Sequence, residues 1–386
     1  MNALSVLFLL AFVVSVDQRI IAPVLPSIAA SLHATAGGVG LAMTSYAFAY
    51  STSQLVYGGL SDRYGRVRVV RLAAIGFCVC TVLSALATSP WLFVAARLLA
   101  GACAAAVIPL TLVYIGDTVD YARRQVVVGR FSVVTSAGLA FSAAIGGAVA
   151  YFASWRAMLI GYAVVALLPS ALLWRIGADP RTRPAGEAQP VARFIDFLLD
   201  PFARAVYCCI FAEGFLLWGA MTYLGAYAAT HYGLDQLRVG LLIALFGVGT
   251  MAGGASMGPL RRRLSERALA GLGGALMGAA LLMITPGAAT QPRAWPLFAA
   301  AMLVLGLGLV GLHTTLQVHG TEISAAARGK AFSLFPASLF SGVAAGTAAM
   351  GALVDAGGER AMLAICGVGL IGVGMVTARI RRRRNP

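Results

Sequence analysis

Gly58-Gly59-Leu60-Ser61-Asp62-Arg63-Tyr64-Gly65-Arg66 closes one apolar stretch and opens the next. The segment reads as a small, doubly charged turn wedged between two membrane helices. Its glycines let helices approach closely and let the chain turn sharply. Asp62 is placed to accept hydrogen bonds from a neighbouring helix N-terminus or to pair with an arginine. A contact of that kind can latch one conformation of a moving protein.

The rest of the chain supplies the setting. Of its 386 residues, 60% are hydrophobic and only 11% charged, and the mean hydropathy is +0.85. A soluble protein of this length needs many more charges to cover its surface, so the chain reads as an integral membrane protein with several spans. A net charge of +15 suggests nucleic acid at first sight. Most of that charge sits in short loops between apolar runs, which points to topology instead, and no nucleic-acid partner is expected. All six cysteines (Cys78, Cys80, Cys103, Cys208, Cys209 and Cys366) fall inside apolar segments and read as packing residues, with neither a disulfide nor a metal site. Residues 1–27 lack a basic leader region and a cleavage site, so they read as a first span rather than a signal peptide.

Twelve stretches have the length needed to cross a bilayer: 4–31, 38–58, 69–88, 91–115, 126–150, 157–175, 203–229, 237–258, 267–286, 295–318, 331–353 and 361–379. With a cytoplasmic N-terminus, 23 of the 29 Lys and Arg residues fall on the inner side. Four (Arg156, Arg238, Arg293 and Arg360) fall on the outer side, and only Arg19 and Arg97 lie within spans. That bias places both ends in the cytoplasm and the protein in the cell inner (plasma) membrane. The one long polar segment divides the spans six and six. It gives an N-terminal bundle over 1–175, a linker over 176–201 and a C-terminal bundle with a basic tail over 202–386. Within the linker, Phe194-Ile195-Asp196-Phe197-Leu198-Leu199 is a candidate amphipathic helix on the membrane surface. Gly258-Pro259-Leu260-Arg261-Arg262-Arg263-Leu264 follows span eight, 200 residues after Gly58, with Gly and Leu in register and Arg262 in place of Asp62.

The opening segment resembles the signature loop of the major facilitator superfamily, Gly-x-Leu-small-Asp-Arg-x-Gly-Arg. Gly58, Leu60, Asp62, Arg63, Gly65 and Arg66 all match. In span four, Arg97, Gly101, Ala104 and Ala105 match the family's Arg-x-x-Gln-Gly-x-Gly-Ala-Ala pattern, with Ala100 and Cys103 as departures. In span five, Gly138-x-x-x-Ser142-Ala143-x-x-Gly146-Gly147 resembles the antiporter motif without its central Gly-Pro. Trp155-Arg156 and Ala327-Arg328-Gly329 also fit superfamily habits. The overall likeness is to the twelve-span drug:proton antiporter group. It implies an all-α membrane protein whose twelve helices form two pseudo-symmetric six-helix bundles, exchanging protons for small organic compounds by alternating access.

Charges inside a membrane cost about 2.5–3.5 kcal/mol each on insertion scales, so each needs a reason. Span one carries Asp17 and Arg19, span four Arg97, span seven Glu213, and span ten His313 and Gln317. In the superfamily, spans 1, 4, 7 and 10 line the central cavity. Asp17 and Arg19 point to opposed faces of one helix, so Asp17 needs a partner elsewhere, Arg97 or His313. Asp17 and Glu213 are the candidate proton carriers, with Arg97 biasing their protonation or binding an anionic group. The alternative is that these charges are structural ion pairs locking helices together. His313 and Gln317 share one helix face. His33, His231 and His319 suggest no role. The conformational gate is expected at Gly58, Asp62, Arg63, Gly65, Arg66 and Asp117, with Arg123 and Arg124 near Asp117. Glu322 and Arg328 are the counterpart in the second half.

Aromatics hint at the cargo. Tyr46, Tyr50 and Tyr57 recur in span two, and Phe215, Trp218, Tyr223 and Tyr227 in span seven. Packing explains most such residues, but Trp218 and Tyr223 are candidate cavity residues beside Asp17, Arg97, Glu213, His313 and Gln317. They favour flat or amphiphilic organic substrates over sugars. Proton-coupled symport or facilitated uptake of a small metabolite or sugar is the alternative. No nucleotide-binding loop, His-Glu-x-x-His, paired-Asp protease motif or Ser-His-Asp arrangement stands out, which argues against an intramembrane enzyme and ATP-driven transport. The expected partners are a small organic substrate, protons and the lipid bilayer. The protein is expected to act as a monomer without a cofactor.

Overall fold

Helix caps and breaks account for most of the architecture. The computed structural model describes residues 3–175, 199–286, 291–323 and 328–380. The helices are α1 (Ala3–Ser31), α2 (Ala36–Tyr64), α3 (Arg66–Ala85), α4 (Pro90–Thr118), α5 (Tyr121–Phe152) and α6 (Trp155–Arg175) in the first half. The second half holds α7 (Pro201–Tyr232), α8 (Gln236–Arg263), α9 (Glu266–Met283), α10 (Trp295–Glu322), α11 (Arg328–Asp355) and α12 (Glu359–Arg379). Side chains cap many N-termini: Thr35 for α2, Ser89 for α4, Asp200 for α7, Asp235 for α8 and Ser265 for α9. Each accepts a hydrogen bond from a backbone N–H that the helix itself leaves without a partner. Pro90 and Pro201 occupy the first helical position, where a missing N–H costs nothing.

Among the described residues, eleven of these helices are long and apolar enough to cross a bilayer. The remaining one, α2, has 29 residues but is less apolar, because it carries Thr44, Ser45, Ser51, Thr52, Ser53 and Gln54. Large apolar side chains such as Val164, Leu168 and Val368 stand more than half exposed. A water-soluble fold hides such surface, whereas a lipid-facing one displays it. The molecule is a multi-pass membrane protein.

Chain contacts divide it into two compact units, residues 1–190 and 191–386. The units use one packing plan. In the first, the dominant contacts are α1 with α5, α2 with α4, α3 with α4, and α3 with α6. In the second they are α7 with α11, α8 with α10, α9 with α10, and α9 with α12. Adding six to each helix number maps one set onto the other, which extends the echo between Gly58 and Gly258 to the whole of each unit. Residues 176–198 of the 176–201 linker, including most of the candidate amphipathic helix, and the basic tail over 381–386 lie outside the described residues.

Among the described residues, three helices are interrupted, which hydropathy alone does not reveal. In α1 the chain passes through a 3-10 turn at Ala22–Val24, where Pro23 removes a backbone donor. In α4 the helix breaks after Ala104 and resumes at Val107, beside Pro109. In α7 a π-helical turn spans Gly214–Trp218. The opening segment also differs from the turn its composition suggests. Residues 58–64 continue α2, and the bend falls on Gly65 alone, at φ 92°. A backbone conformation with that φ is open to glycine and strained for other residues, so one glycine suffices to end α2 and start α3.

Candidate functional site

The first unit builds its polar centre where α1 meets α4. Asp17 and Arg97 are both fully buried. The Arg97 guanidinium grips the carboxylate with two parallel bonds, Nη1 to Oδ1 at 3.2 Å and Nη2 to Oδ2 at 2.7 Å. That fork is the geometry in which arginine binds carboxylate most strongly. The Tyr46 ring covers the guanidinium at 4.5 Å and stacks against Tyr50 at 6.2 Å. Gly101 explains how Tyr46 comes so near. A Cβ at Gly101, one turn beyond Arg97, would lie 2.3 Å from the Tyr46 carbonyl oxygen, so only glycine lets α2 and α4 touch backbone to backbone there.

The backbone on either side of Asp17 is fixed from behind. The Tyr162 hydroxyl on α6 donates to the Val13 carbonyl, and the Ser142 hydroxyl on α5 donates to the Val16 carbonyl. Gly138 and Gly146 flank Ser142 and press against the Phe12 and Ile20 carbonyls. The Gly138-x-x-x-Ser142-x-x-x-Gly146 stripe is therefore the surface on which the acid-bearing part of α1 rests. Arg19, half-buried on the same helix, takes no part in the Asp17–Arg97 contact.

The second unit repeats the theme on the equivalent helices. Glu213 of α7 is fully buried, and its Oε1 lies 2.7 Å from Nδ1 of His313 on α10. The π-helical turn begins at the next residue, Gly214. Such turns widen a helix by one residue and re-aim the side chains beside them. Gln317, one turn beyond His313, is exposed. Trp218 packs edge-on against Phe246 of α8 at 5.5 Å, and Tyr223 is buried, donating from its hydroxyl to the Thr347 carbonyl of α11 at 2.9 Å. Trp218 and Tyr223 thus stand in helix–helix seams of the second unit.

The α2–α3 corner forms a separate cluster centred on Arg66. Its guanidinium meets the Asp62 carboxylate, donates to Ser61 Oγ at 2.6 Å and reaches Asp117 Oδ2, at the end of α4, at 3.3 Å. Arg63 turns instead onto the Tyr64 ring. Arg124 donates to the Gly116 and Val119 carbonyls, bracing the α4–α5 corner next to Asp117. In the second unit the matching corner holds an ion pair between Arg261 and Glu266, at 2.5 Å. The side chain of Arg328, named as a gate counterpart, lies outside the described residues. At the opposite ends of α7 and α12, His231 approaches Glu359 at 2.8 Å, a contact its sequence setting did not suggest.

The pairings could be narrowed but not fixed by sequence. Asp17 had two possible partners, and Glu213 had none assigned. Nothing in the sequence marks Tyr162 as a positioning residue, and Ser61, Gly101 and Ser142 enter it only as members of motifs. The signals available were weak: Gly101 falls one turn from Arg97, and Ser142 stands midway between two glycines at helical spacing.

The Major Facilitator Superfamily model matches residues 7–324 and 206–386. Among curated relatives, the multidrug efflux pump LfrA of Mycolicibacterium smegmatis is 30% identical over 197 residues, covering 50% of this chain and 39% of the pump. This chain therefore matches well under half the length of that relative. The uncharacterized MFS-type transporter YceJ of Bacillus subtilis is 27% identical over 369 residues, covering 92% of this chain and 89% of that one. Among solved structures, the nucleoside transporter NupG superposes with a TM-score of 0.80 at 12% identity, covering 98% of this chain and 100% of NupG. At that identity the likeness speaks for the fold alone.

Proposed function

This chain belongs to the major facilitator superfamily, and from that membership and the geometry above we propose that it is a proton-coupled exporter of small, drug-like organic compounds. The observation that carries the reading is the fully buried Asp17–Arg97 pair between α1 and α4. Two opposite charges withdrawn from solvent hold each other in place, and removing either charge leaves the other without compensation. Protonating Asp17 is the smallest chemical change that does this. The carboxyl then holds one proton, Arg97 loses its counter-ion, and α1 and α4 lose their tie. Proton binding at this point is thereby converted into a change in helix packing.

Arg66 supplies the second element, a latch. It ties the end of α2 to the end of α4 through Asp62 and Asp117, and the transport cycle is read as shifting these two helix ends of the first unit against each other, which breaks the tie. The excess of arginine on alternate corners supports a chain with both ends in the cytoplasm, in the cell inner membrane. Export of drug-like compounds is supported by the similarity to an efflux pump and by the aromatic residues flanking the charged positions. The reading needs no cofactor, and a single copy of the chain suffices.

The α5 stripe favours a second reading. Ser142 and Ala143 stand where the antiporter motif carries Gly-Pro, so proton-coupled uptake of a metabolite is the alternative. Proteoliposomes separate the two. With an imposed pH gradient, antiport moves protons out of acid-loaded vesicles when a lipophilic cation or neutral drug is added outside. Symport moves substrate and protons together. A panel of such compounds that changes lumenal pH no more than empty vesicles do would sink the export reading.

A further inference from the structure

Glu213 and His313 are the only Asp, Glu, His, Lys or Arg residues that the second unit's six helices carry more than four residues from an end. One is an acid, the other a base, and they meet. Contact through Oε1 satisfies one side of the carboxylate. The other oxygen, Oε2, is buried without a hydrogen-bond partner, on a side chain with no exposed surface. A carboxylate oxygen left bare in an apolar interior is costly, and in native folds such atoms call for an explanation. The pair is not sealed, because 27% of the His313 side chain remains exposed. The carboxylate also sits at a fixed place. Gly214 presses α7 against the Leu339 carbonyl of α11, and the π-helical turn follows at once. One apolar ring stands beside the pair: Phe335 meets the His313 ring edge-on at 5.8 Å.

We infer that Glu213 is a binding site for the protonated amine of an amphiphilic substrate, with Oε2 accepting its N–H and the Phe335 ring packing against its apolar body. In this reading the resting pair is a carboxylate beside a protonated imidazole, one proton held between acid and base. A ligand ammonium brings a second positive charge to a carboxylate that can balance one. His313 then becomes neutral and its proton leaves to solvent. Charge is conserved, one cation replacing one proton. Among the described residues of the second unit no other charge lies in the middle of these helices: α8 has none between Arg238 and Arg261, and α11 and α12 have none between Leu334 and Val354 or between Ala361 and Ala378. Other ionisable side chains on these helices include the thiols Cys208, Cys209 and Cys366, the phenols Tyr207 and Tyr223 and, two turns further along α10, His319. Requiring an N–H donor selects primary to tertiary amines over quaternary ammonium ions.

This inference names a substrate class for the proposed transporter, but its test reads binding, so the two can fail separately. The full-length protein in detergent is titrated with a dansyl fluorophore bearing a terminal primary amine, and with the same fluorophore N-acetylated. The amine is expected to bind about tenfold or more tightly than its neutral analogue, releasing about one proton per ligand into weakly buffered solution. Glu213→Gln is expected to erase the preference, and Glu213→Asp to retain it at reduced affinity. His313→Gln is expected to keep amine binding and lose proton release. Equal binding of the two fluorophores, a preference that survives Glu213→Gln, or no binding of the amine overturns the inference. Amine binding of the expected pattern with no pH-driven transport in vesicles would instead overturn the export reading.

Discussion

Replacing Asp17 with Asn tests the coupling at its centre. The variant keeps an oxygen that can accept one bond from Arg97 but removes the charge. Arg97 stays fully buried, and one of its two bonds to Asp17, at 3.2 Å and 2.7 Å, is lost. Its Nε already lacks a hydrogen-bond partner, so the guanidinium has little left to hold it. Breaking a buried pair from one side costs about 3–5 kcal/mol, and the retained oxygen puts Asp17→Asn at the low end. For a unit of this size that corresponds to a melting point lower by roughly 6–12 °C, taking 2–4 °C per kcal/mol. The double variant Asp17→Asn, Arg97→Gln removes the orphaned charge and is expected to regain at least half of that loss. Scanning fluorimetry in detergent reads both. In proteoliposomes, Asp17→Asn is expected to abolish proton-driven transport while leaving some substrate binding or exchange. A double variant as damaged as the sum of the two single variants would refute the charge-compensation argument. Normal pH-driven transport by Asp17→Asn would refute the coupling role.

Other perturbations follow from the same geometry. Gly101→Ala adds a Cβ 2.3 Å from a backbone oxygen, against ordinary contact beyond 3.4 Å, so α2 and α4 must part by about an ångström. Overpacking of that kind costs about 1–3 kcal/mol, and the melting curve of Gly101→Ala should shift down accordingly. A variant as stable as the wild type would mean that the two helices are not held so close. Arg66→Gln strips Asp62 and Asp117 of their shared partner and is expected to slow the transport cycle while leaving substrate affinity unchanged. An affinity loss with normal turnover would count against the latch. Tyr162→Phe removes the donor to the Val13 carbonyl and should cost about 1 kcal/mol, with the proton-to-substrate ratio intact. A changed ratio would make Tyr162 part of the coupling itself.

The sequence by itself determined what depends on composition and on one-dimensional period. Apolar length set the spans, because a bilayer has one thickness and a helix one rise per residue. The charge in spans one, four, seven and ten was visible because a membrane penalises charge anywhere else. Gly58 to Arg66 carried the family likeness, although α2 runs through that stretch and only Gly65 turns. Which charge meets which was decided only by the tertiary structure. Asp17 and Arg97 are 80 residues apart, and Glu213 and His313 100 apart. Helical period says which residues share a face, but neighbours and rotation are set by how helices pack. Here that packing runs through backbone contacts at Gly101, Ser142 and Gly214. The π-helical turn beside Glu213 was hidden for the same reason, since it changes the register of α7 without changing any residue type.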